Sequence, residues 1–179
     1  AVFAEEYGRA AHPLLKDPRI TVLLPFWRAV LDELDIGMRC VIPVRHPMAV
    51  AGSLAARNGF APEKSVLLWS AYMLAAEAYT RDLPRAFVDY DALLTDWRGQ
   101  VGRIEAAHGA ALPKLTAKAG EAIDEFLSGD LRHNAGEGDL AALGCAGEIA
   151  ERVHGWLAAA AADRPAETAL LRPAAEALA

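Results

Sequence analysis

The chain has 179 residues and a mass of 19.1 kDa, which suits one domain with a buried core. Its net charge of −6 argues against a general nucleic-acid-binding protein, and its apolar runs fit neither a membrane span nor a secretion signal. Cys40 and Cys145 are too far apart for a CxxC motif, so we expect no disulfide framework, no metal site and a cytoplasmic location.

The first predicted elements are less regular than those that follow. Residues Val2 to Arg9 indicate a helix, and its abrupt opening leads us to expect that a strand and a loop before it are missing. Residues 12–16 predict a short strand that ends in the charged turn Lys16-Asp17-Pro18-Arg19. Apolar residues then recur with a helical period from Leu23 to Leu34, which predicts a helix.

The clearest strand runs from Cys40 to Val44 and is apolar throughout. This pattern is typical of a parallel strand that is covered on both faces. Pro43 has no N–H group to donate to a neighbouring strand, which indicates a bulge or a neighbour on one side only. A short helix is predicted from Pro47 to Arg57, and Asn58-Gly59 closes it.

The remaining predicted elements are mostly helical. They are a long helix from Pro62 to about Arg81, a strand at residues 86–90, a helical turn at 91–94, a helix from the N-cap Asp96 to His108, a helix at 116–127, a loop at 128–139 and a helical tail broken at Pro165. The predicted fold class is therefore α/β, with helices outweighing strands, in a single domain over residues 1–179. We expect the tail, residues 140–179, to complete the core, and a homodimer surface there is left open.

A cation and a hydroxyl follow the clearest strand. Arg45 comes directly after it, and Ser53 lies eight residues later in the predicted helix. Both groups can converge on a phosphate at the strand end, where the helix adds its positive pole and free N–H groups. The alternative is an ion pair between Arg45 and a carboxylate, with Ser53 facing solvent.

Several segments, in this order, resemble the family of sulfotransferases that use 3′-phosphoadenosine 5′-phosphosulfate (PAPS), and its bacterial branch in particular. They are Lys16-Asp17-Pro18-Arg19, Leu24-Pro25-Phe26-Trp27, Val44-Arg45-His46-Pro47 with Ala51-Gly52-Ser53-Leu54, Trp69, Glu77 and Val88-Asp89-Tyr90-Asp91-Ala92-Leu93-Leu94. The Arg-x7-Ser element alone is a weak signal, but its order and spacing with the other segments make the combination more specific. The resemblance spans roughly residues 15–134, about two thirds of the chain.

The resemblance implies a P-loop-NTPase-like three-layer fold with a short parallel sheet. Residues 1–139 would then form the nucleotide-binding α/β part. The implied activity is the transfer of a sulfuryl group from PAPS, as co-substrate and without a metal, to a hydroxyl or amine of a small-molecule or glycan acceptor. The alternative is a non-catalytic remnant of the fold that binds nucleotide or serves as a scaffold.

The resemblance also assigns residues to the nucleotide. It implies that Arg45 and Ser53 hold the 3′-phosphate, for which the planar fork of arginine suits two charge-assisted hydrogen bonds. It places Tyr90 against the adenine, although a buried aromatic with a structural role is an equal alternative. Arg132 would reinforce the phosphate site, or else it is a solvated cation in a loop.

Three residues of the charged turn are implied to be catalytic. Lys16 would stabilise charge on the bridging oxygen as the sulfuryl bond breaks. Asp17 would act as a general base or would orient Lys16 or Arg19 through an ion pair, and we favour the orienting role. His46 is interpreted as structural, and His12, His108 and His154 as isolated residues without the spacing of metal ligands.

One departure from the family is large. Its members begin with a strand and a Gly/Ser/Thr-rich loop that holds the 5′-phosphosulfate, and no such loop precedes Lys16 here. We expect that this part is missing from the sequence, and a non-catalytic remnant is the alternative. A nucleotide kinase of related fold ranks last, because it needs a Walker loop and a magnesium-binding carboxylate.

Overall fold

The computed structural model describes residues 2–8, 10–113, 115–127 and 138–179. This part of the chain forms a helix-rich α/β fold around a short parallel sheet. Its elements, in order, are α1 Val2–Tyr7, α2 Ile20–Glu33, β1 Cys40–Val44, α3 Pro47–Asn58, α4 Pro62–Tyr79, β2 Arg85–Asp89, α5 Tyr90–Thr95, α6 Trp97–His108, α7 Ala117–Phe126, α8 Gly144–Ala161 and α9 Arg172–Ala177, with 3-10 helices at Leu140–Leu143 and Thr168–Leu171. No helix within these ranges is long and apolar enough to cross a membrane.

The helix ends in the middle of the chain were predicted correctly from local signals in the sequence. α3 ends at Gly59, which has a φ of 65° and adopts the left-handed conformation that glycine tolerates best. Asp96 caps α6 by accepting a hydrogen bond from the backbone N–H of Gly99 over 3.0 Å. The helix starts that matter for the site are those of α3 and α5, which lie directly beyond the two strands.

The sheet pairs β1 with β2 in parallel, with Cys40 opposite Arg85 and Val44 opposite Asp89. The predicted strand at residues 12–16 is wrong, because that segment is irregular and belongs to no sheet. Its central Leu14 is 87% exposed, so no neighbour buries the apolar side chains that suggested a strand. A short apolar run forms a strand only where a partner and a covering layer are present.

The two strands differ in how they are covered. Phe87 of β2 faces α8, where its ring centroid lies 5.5 Å from that of Trp156. Val88 is buried on the other face against Ile104 of α6. Helices thus cover both faces of β2.

The prediction that β1 is covered on both faces is wrong. Ile42 and Val44 are buried, but Val41 is 44% exposed and Pro43 is also exposed. The packing of α6 is on β2, and the outer face of β1 is left without an equivalent layer among the described residues. The register with β2 runs through Pro43 without interruption, which excludes a bulge and agrees with a neighbour on one side.

The helix α8 lies at the centre of the core. It packs against α4, β1 and β2. Ala150, Val153 and Leu157 on its inner face are at most 1% exposed. The tail therefore supplies much of the apolar layer beneath the sheet, in agreement with the expectation that it completes the core.

A close backbone approach fixes the start of α8. A Cβ atom at Gly147 would overlap the backbone carbonyl oxygen of Leu140, so only glycine fits there. We expect Gly147→Ala to lower the free energy of unfolding by about 2 kcal/mol, because the overlap forces the backbone apart. Gly155→Ala, at an open position of the same helix, should raise it by about 0.5–1 kcal/mol. Urea unfolding measures both, and equal stability of the two variants would refute this packing.

Candidate functional site

The carboxyl ends of the two strands bring together two of the residues predicted to bind the nucleotide. Val44 and Asp89 are opposite each other in the parallel register, so the residues that follow them emerge side by side. The Cζ atom of Arg45 lies 4.5 Å from the centroid of the Tyr90 ring, which is a cation–π contact. Carboxyl ends of parallel strands are where ligands commonly bind in open α/β sheets.

Tyr90 is held by the start of a short helix. It is the first residue of α5, and the carboxylate of Asp89 caps that helix by accepting the backbone N–H of Ala92 over 2.8 Å. The ring is half-buried, and Arg45 occupies one of its faces. An adenine that stacks on Tyr90 therefore uses the other face or displaces the guanidinium.

The start of α3 is internally capped, which corrects the prediction that it offers free N–H groups. Nδ1 of His46 accepts the backbone N–H of Met48 over 3.2 Å. The carbonyl of His46 accepts the N–H groups of Ala49 and Val50 over 3.0 and 3.2 Å, and Pro47 has no N–H group. The imidazole of His46 at the N-cap binds the backbone N–H of Met48, which was expected to be free for an anion. The helix therefore offers an anion only its positive pole.

Ser53 lies further along the same helix. It follows His46 by seven residues, which places it on the same helical face, about 9 Å along the axis from the first residue of α3. The side chain is half-buried, and its hydroxyl has no hydrogen-bonding partner among the described residues. Its role in holding a phosphate stays a prediction.

A histidine from the tail, which the sequence did not connect to this site, packs against its edge. The ring centroids of His154 in α8 and His46 lie 4.8 Å apart at an interplanar angle of 75°. The interpretation of His154 as isolated is therefore wrong. Burial lowers the pKa of His154, the neighbouring His46 ring acts in the same direction, and the nearby carboxylate of Asp89 acts in the opposite direction. The only signal in the sequence was its place beside Val153 on a helix with an apolar face.

The charged turn before α2 is held by an ion pair within itself. The guanidinium of Arg19 donates to both carboxylate oxygens of Asp17, over 3.0 and 2.7 Å. These hydrogen bonds hold the pKa of Asp17 at about 2, which makes it a poor base at neutral pH. The ion pair is the geometry that the orienting interpretation requires. Lys16 is exposed, and the described contacts of these residues do not reach Arg45 or Tyr90, so the catalytic roles stay predictions.

Two further predictions concern Arg132 and metal ligands. Arg132, and most of the loop predicted at residues 128–139, lie outside the described residues. No group of three or more histidine, cysteine, aspartate or glutamate side chains within the described ranges is arranged to hold a metal ion. The candidate site therefore consists of the strand-end residues and the start of α3.

A cleft lies away from the predicted nucleotide-binding residues. It has a volume of about 510 Å³ and is lined by the second half of α4 and by the tail around Thr168 to Ala175. Glu77 lies at its wall and is bound by Arg85, the first residue of β2. The cleft therefore lies towards the amino end of β2, opposite the edge where Arg45 and Tyr90 meet.

Comparison with known proteins provides no relative for this chain. No family model matches it, and no curated protein or solved structure shows significant similarity to it. The function is therefore inferred from the geometry of the strand ends and from the chemistry of their side chains.

Proposed function

We propose that the chain binds the 3′-phosphate of PAPS at the carboxyl edge of the sheet and transfers its sulfuryl group to a hydroxyl or amine. The single observation that carries this proposal is the contact of Arg45 with Tyr90 at adjacent ends of two parallel strands. It combines a cation for phosphate with an aromatic ring for a base, at the edge where such ligands bind.

The proposed roles follow from the chemistry of each side chain. Arg45 would turn from the Tyr90 ring to form two charge-assisted hydrogen bonds with the 3′-phosphate, and Ser53 would add a hydroxyl donor. The face of Tyr90 that the guanidinium leaves would then stack on the adenine. The positive pole of α3 would favour the bound anion, and no metal is needed for these contacts.

In the transfer step, an acceptor oxygen or nitrogen forms a bond to sulfur while the bond from sulfur to the bridging phosphate oxygen breaks. The electron pair of that bond leaves on adenosine 3′,5′-bisphosphate, and the proton of the acceptor passes to a base. By analogy with phosphoryl transfer, positioning and cations at the leaving oxygen carry most of the catalysis. Lys16 is the proposed cation, and Asp17 with Arg19 would hold its segment in place.

We also propose a P-loop-NTPase-like three-layer fold, in a cytoplasmic protein whose acceptor is a small molecule or a glycan. The support for this fold is the parallel pairing of β1 with β2 and the burial of β2 between α6 and α8. Two strands alone are compatible with other α/β folds, so the site rather than the fold carries the functional proposal.

The second candidate is a protein that binds the nucleotide without turnover. One observation favours it: Asp17 and Arg19 are engaged with each other in an exposed segment. A transfer assay with sulfur-labelled PAPS and a panel of hydroxyl and amine acceptors separates the two candidates once nucleotide binding is established.

Isothermal calorimetry with adenosine 3′,5′-bisphosphate, AMP and ATP tests the shared part of both candidates. We expect the bisphosphate to bind at least about tenfold more tightly than AMP, because a charge-assisted phosphate–arginine contact contributes about 1.5–3 kcal/mol. ATP should bind no better than AMP. Equal affinities for AMP and the bisphosphate would exclude a 3′-phosphate site, and a preference for ATP would favour the kinase interpretation.

A further inference from the structure

The cleft between α4 and the tail has two walls of similar composition. Along α4, its lining runs from Leu74 to Arg81, which lies two residues beyond the end of the helix. Along the tail, its lining runs from Thr168 to Ala175 and includes Arg172. Each wall therefore combines apolar side chains with one arginine.

The floor of the cleft is apolar. Leu171 is 2% exposed, and the half-buried Leu74 packs against the same core cluster. Ala75, Ala78 and Ala175 line the space beside them with methyl groups, which are too small to fill it. The volume of about 510 Å³ lies in the range of clefts that hold small organic ligands, which are mostly apolar with a few polar groups. The cleft can therefore take the apolar body of a ligand.

The carboxylate at the wall of the cleft is already neutralised. Glu77 is 1% exposed and accepts hydrogen bonds from Nε and Nη2 of Arg81, over 2.9 and 2.7 Å, and from Nη2 of Arg85 over 3.3 Å. Its single negative charge thus faces two guanidinium groups. Arg81 contacts it with one edge of the guanidinium only, and its side chain is 53% exposed. Positive charge therefore remains at this wall for a ligand.

The arginine on the opposite wall has no partner among the described residues. Arg172 is exposed and makes no hydrogen bond or ion pair with any of them. The charged groups that line the cleft are thus two guanidinium groups and the neutralised carboxylate of Glu77. A cationic lining in a chain whose net charge is −6 is complementary to an anion.

We propose that this cleft binds a small amphipathic carboxylate, and specifically a medium-chain fatty acid. Its alkyl chain lies against Leu74 and Leu171, and its carboxylate accepts charge-assisted hydrogen bonds from Arg81 and Arg172. The hydroxyl of Thr168, on the same wall as Arg172, can supply a further donor.

The chemistry of the walls favours an alkyl chain over an aromatic ligand. Apart from Tyr79, the described lining residues carry no ring, so they offer methyl and isobutyl groups and little surface for stacking. The cleft lies towards the amino end of β2, whereas Arg45 and Tyr90 meet at its carboxyl end. The fatty-acid site is therefore separate from the proposed 3′-phosphate site and does not depend on it.

Arg172→Met tests the contribution of charge. It removes one cation from the cleft and leaves an apolar side chain, and it breaks no hydrogen bond with a described residue. Arg164→Met is the matched control, because Arg164 is another exposed arginine of the tail and does not line the cleft. Arg81 is left intact, since its loss would also release the buried Glu77.

Ala175→Phe tests the contribution of the apolar space. Ala175 is an exposed residue of α9 at the wall of the cleft, so a phenyl ring there occupies the empty volume without displacing a core side chain. Ala177→Phe is the control, because Ala177 is exposed in the last turn of the same helix and does not line the cleft.

The measurement is isothermal calorimetry of the full chain with octanoate and with octanamide, its uncharged analogue. We expect octanoate to bind about tenfold more tightly than octanamide, because only the carboxylate accepts charge-assisted hydrogen bonds. Arg172→Met should weaken octanoate about fivefold and leave octanamide unchanged, as expected for an exposed ion pair. Ala175→Phe should weaken both ligands at least about tenfold, and the two control variants should bind as the wild type does.

Several results would overturn the inference. They are an absence of octanoate binding at millimolar concentration, equal affinities for octanoate and octanamide, and unchanged octanoate binding in both Arg172→Met and Ala175→Phe. Competition between octanoate and adenosine 3′,5′-bisphosphate would place octanoate at the strand ends instead. A dimer in sedimentation that Ala175→Phe dissociates would show that a second copy covers the cleft. Circular dichroism of each variant shows that a loss of binding is not a loss of fold.

Discussion

Replacing Glu77 with glutamine is expected to lower the free energy of unfolding by about 3 kcal/mol, because it breaks a buried ion pair. Glu77 is 1% exposed and accepts hydrogen bonds from Arg81 over 2.7 Å and from Arg85 over 3.3 Å. The amide keeps the volume and removes the charge. Arg85, which is 17% exposed, then loses its counter-ion in a buried environment.

The position of Glu77 explains why the effect extends beyond one ion pair. The guanidinium of Arg85 also donates to the backbone carbonyl of Glu77 over 2.6 Å and to the hydroxyl of Thr80 over 3.1 Å. These bonds join the end of α4 to the first residue of β2. The strand that starts at this network leads directly into Tyr90.

Asp82→Asn is the matched control for Glu77→Gln. Asp82 is also a carboxylate that binds an arginine, Arg28, but it is 63% exposed. An exposed pair contributes about 0–1 kcal/mol, so this variant should unfold almost as the wild type does. Urea unfolding of both variants checks the prediction, and a loss of similar size in the two would show that burial of Glu77 is not what makes it important.

Replacing Arg45 with methionine is expected to weaken binding of adenosine 3′,5′-bisphosphate about 100-fold. Methionine keeps an apolar side chain against Tyr90 but removes the two charge-assisted hydrogen bonds to the 3′-phosphate. Such a pair contributes about 1.5–3 kcal/mol to binding. The thioether also keeps a favourable contact with the half-buried ring of Tyr90.

Arg57→Met is the matched control for this loss. Arg57 lies in the last turn of α3, where its guanidinium donates to the side chain of Asn58 over 2.8 Å. The two variants remove the same charge from the same part of the chain, but only one removes it from the strand ends. We expect calorimetry to show that Arg57→Met binds adenosine 3′,5′-bisphosphate with unchanged affinity. An equal loss of affinity in both variants would show that Arg45 acts only through the net charge of the protein.

The meeting of Arg45 and Tyr90 could be predicted from the sequence because it depends on local signals. Two apolar runs predict the strands, a helix from Pro47 and a helical turn at residues 91–94 are predicted directly after them, and parallel strands place such starts at one edge. The observed strand β2 begins and ends one residue earlier than predicted, which does not move Tyr90 away from that edge.

The features that could not be predicted depend on which surfaces meet. His154 reaches His46 because α8 crosses beneath both strands, and no local pattern encodes that crossing. The acceptor at the start of α3 was misjudged because histidine is not a common N-cap residue. The predictions of a strand at residues 12–16 and of a covered outer face on β1 were both wrong, because apolar composition does not show whether a covering layer exists.

Whether Arg45 binds a 3′-phosphate decides between the proposed site and a purely structural strand end, and a thermodynamic cycle answers that question. Wild type and Arg45→Met are each titrated with adenosine 3′,5′-bisphosphate and with AMP, which lacks the 3′-phosphate. We expect the variant to lose about 100-fold in affinity for the bisphosphate and almost nothing for AMP, a coupling of about 2.7 kcal/mol between Arg45 and the 3′-phosphate. Equal losses for the two ligands, and hence no coupling, would contradict the assignment of Arg45 to that phosphate.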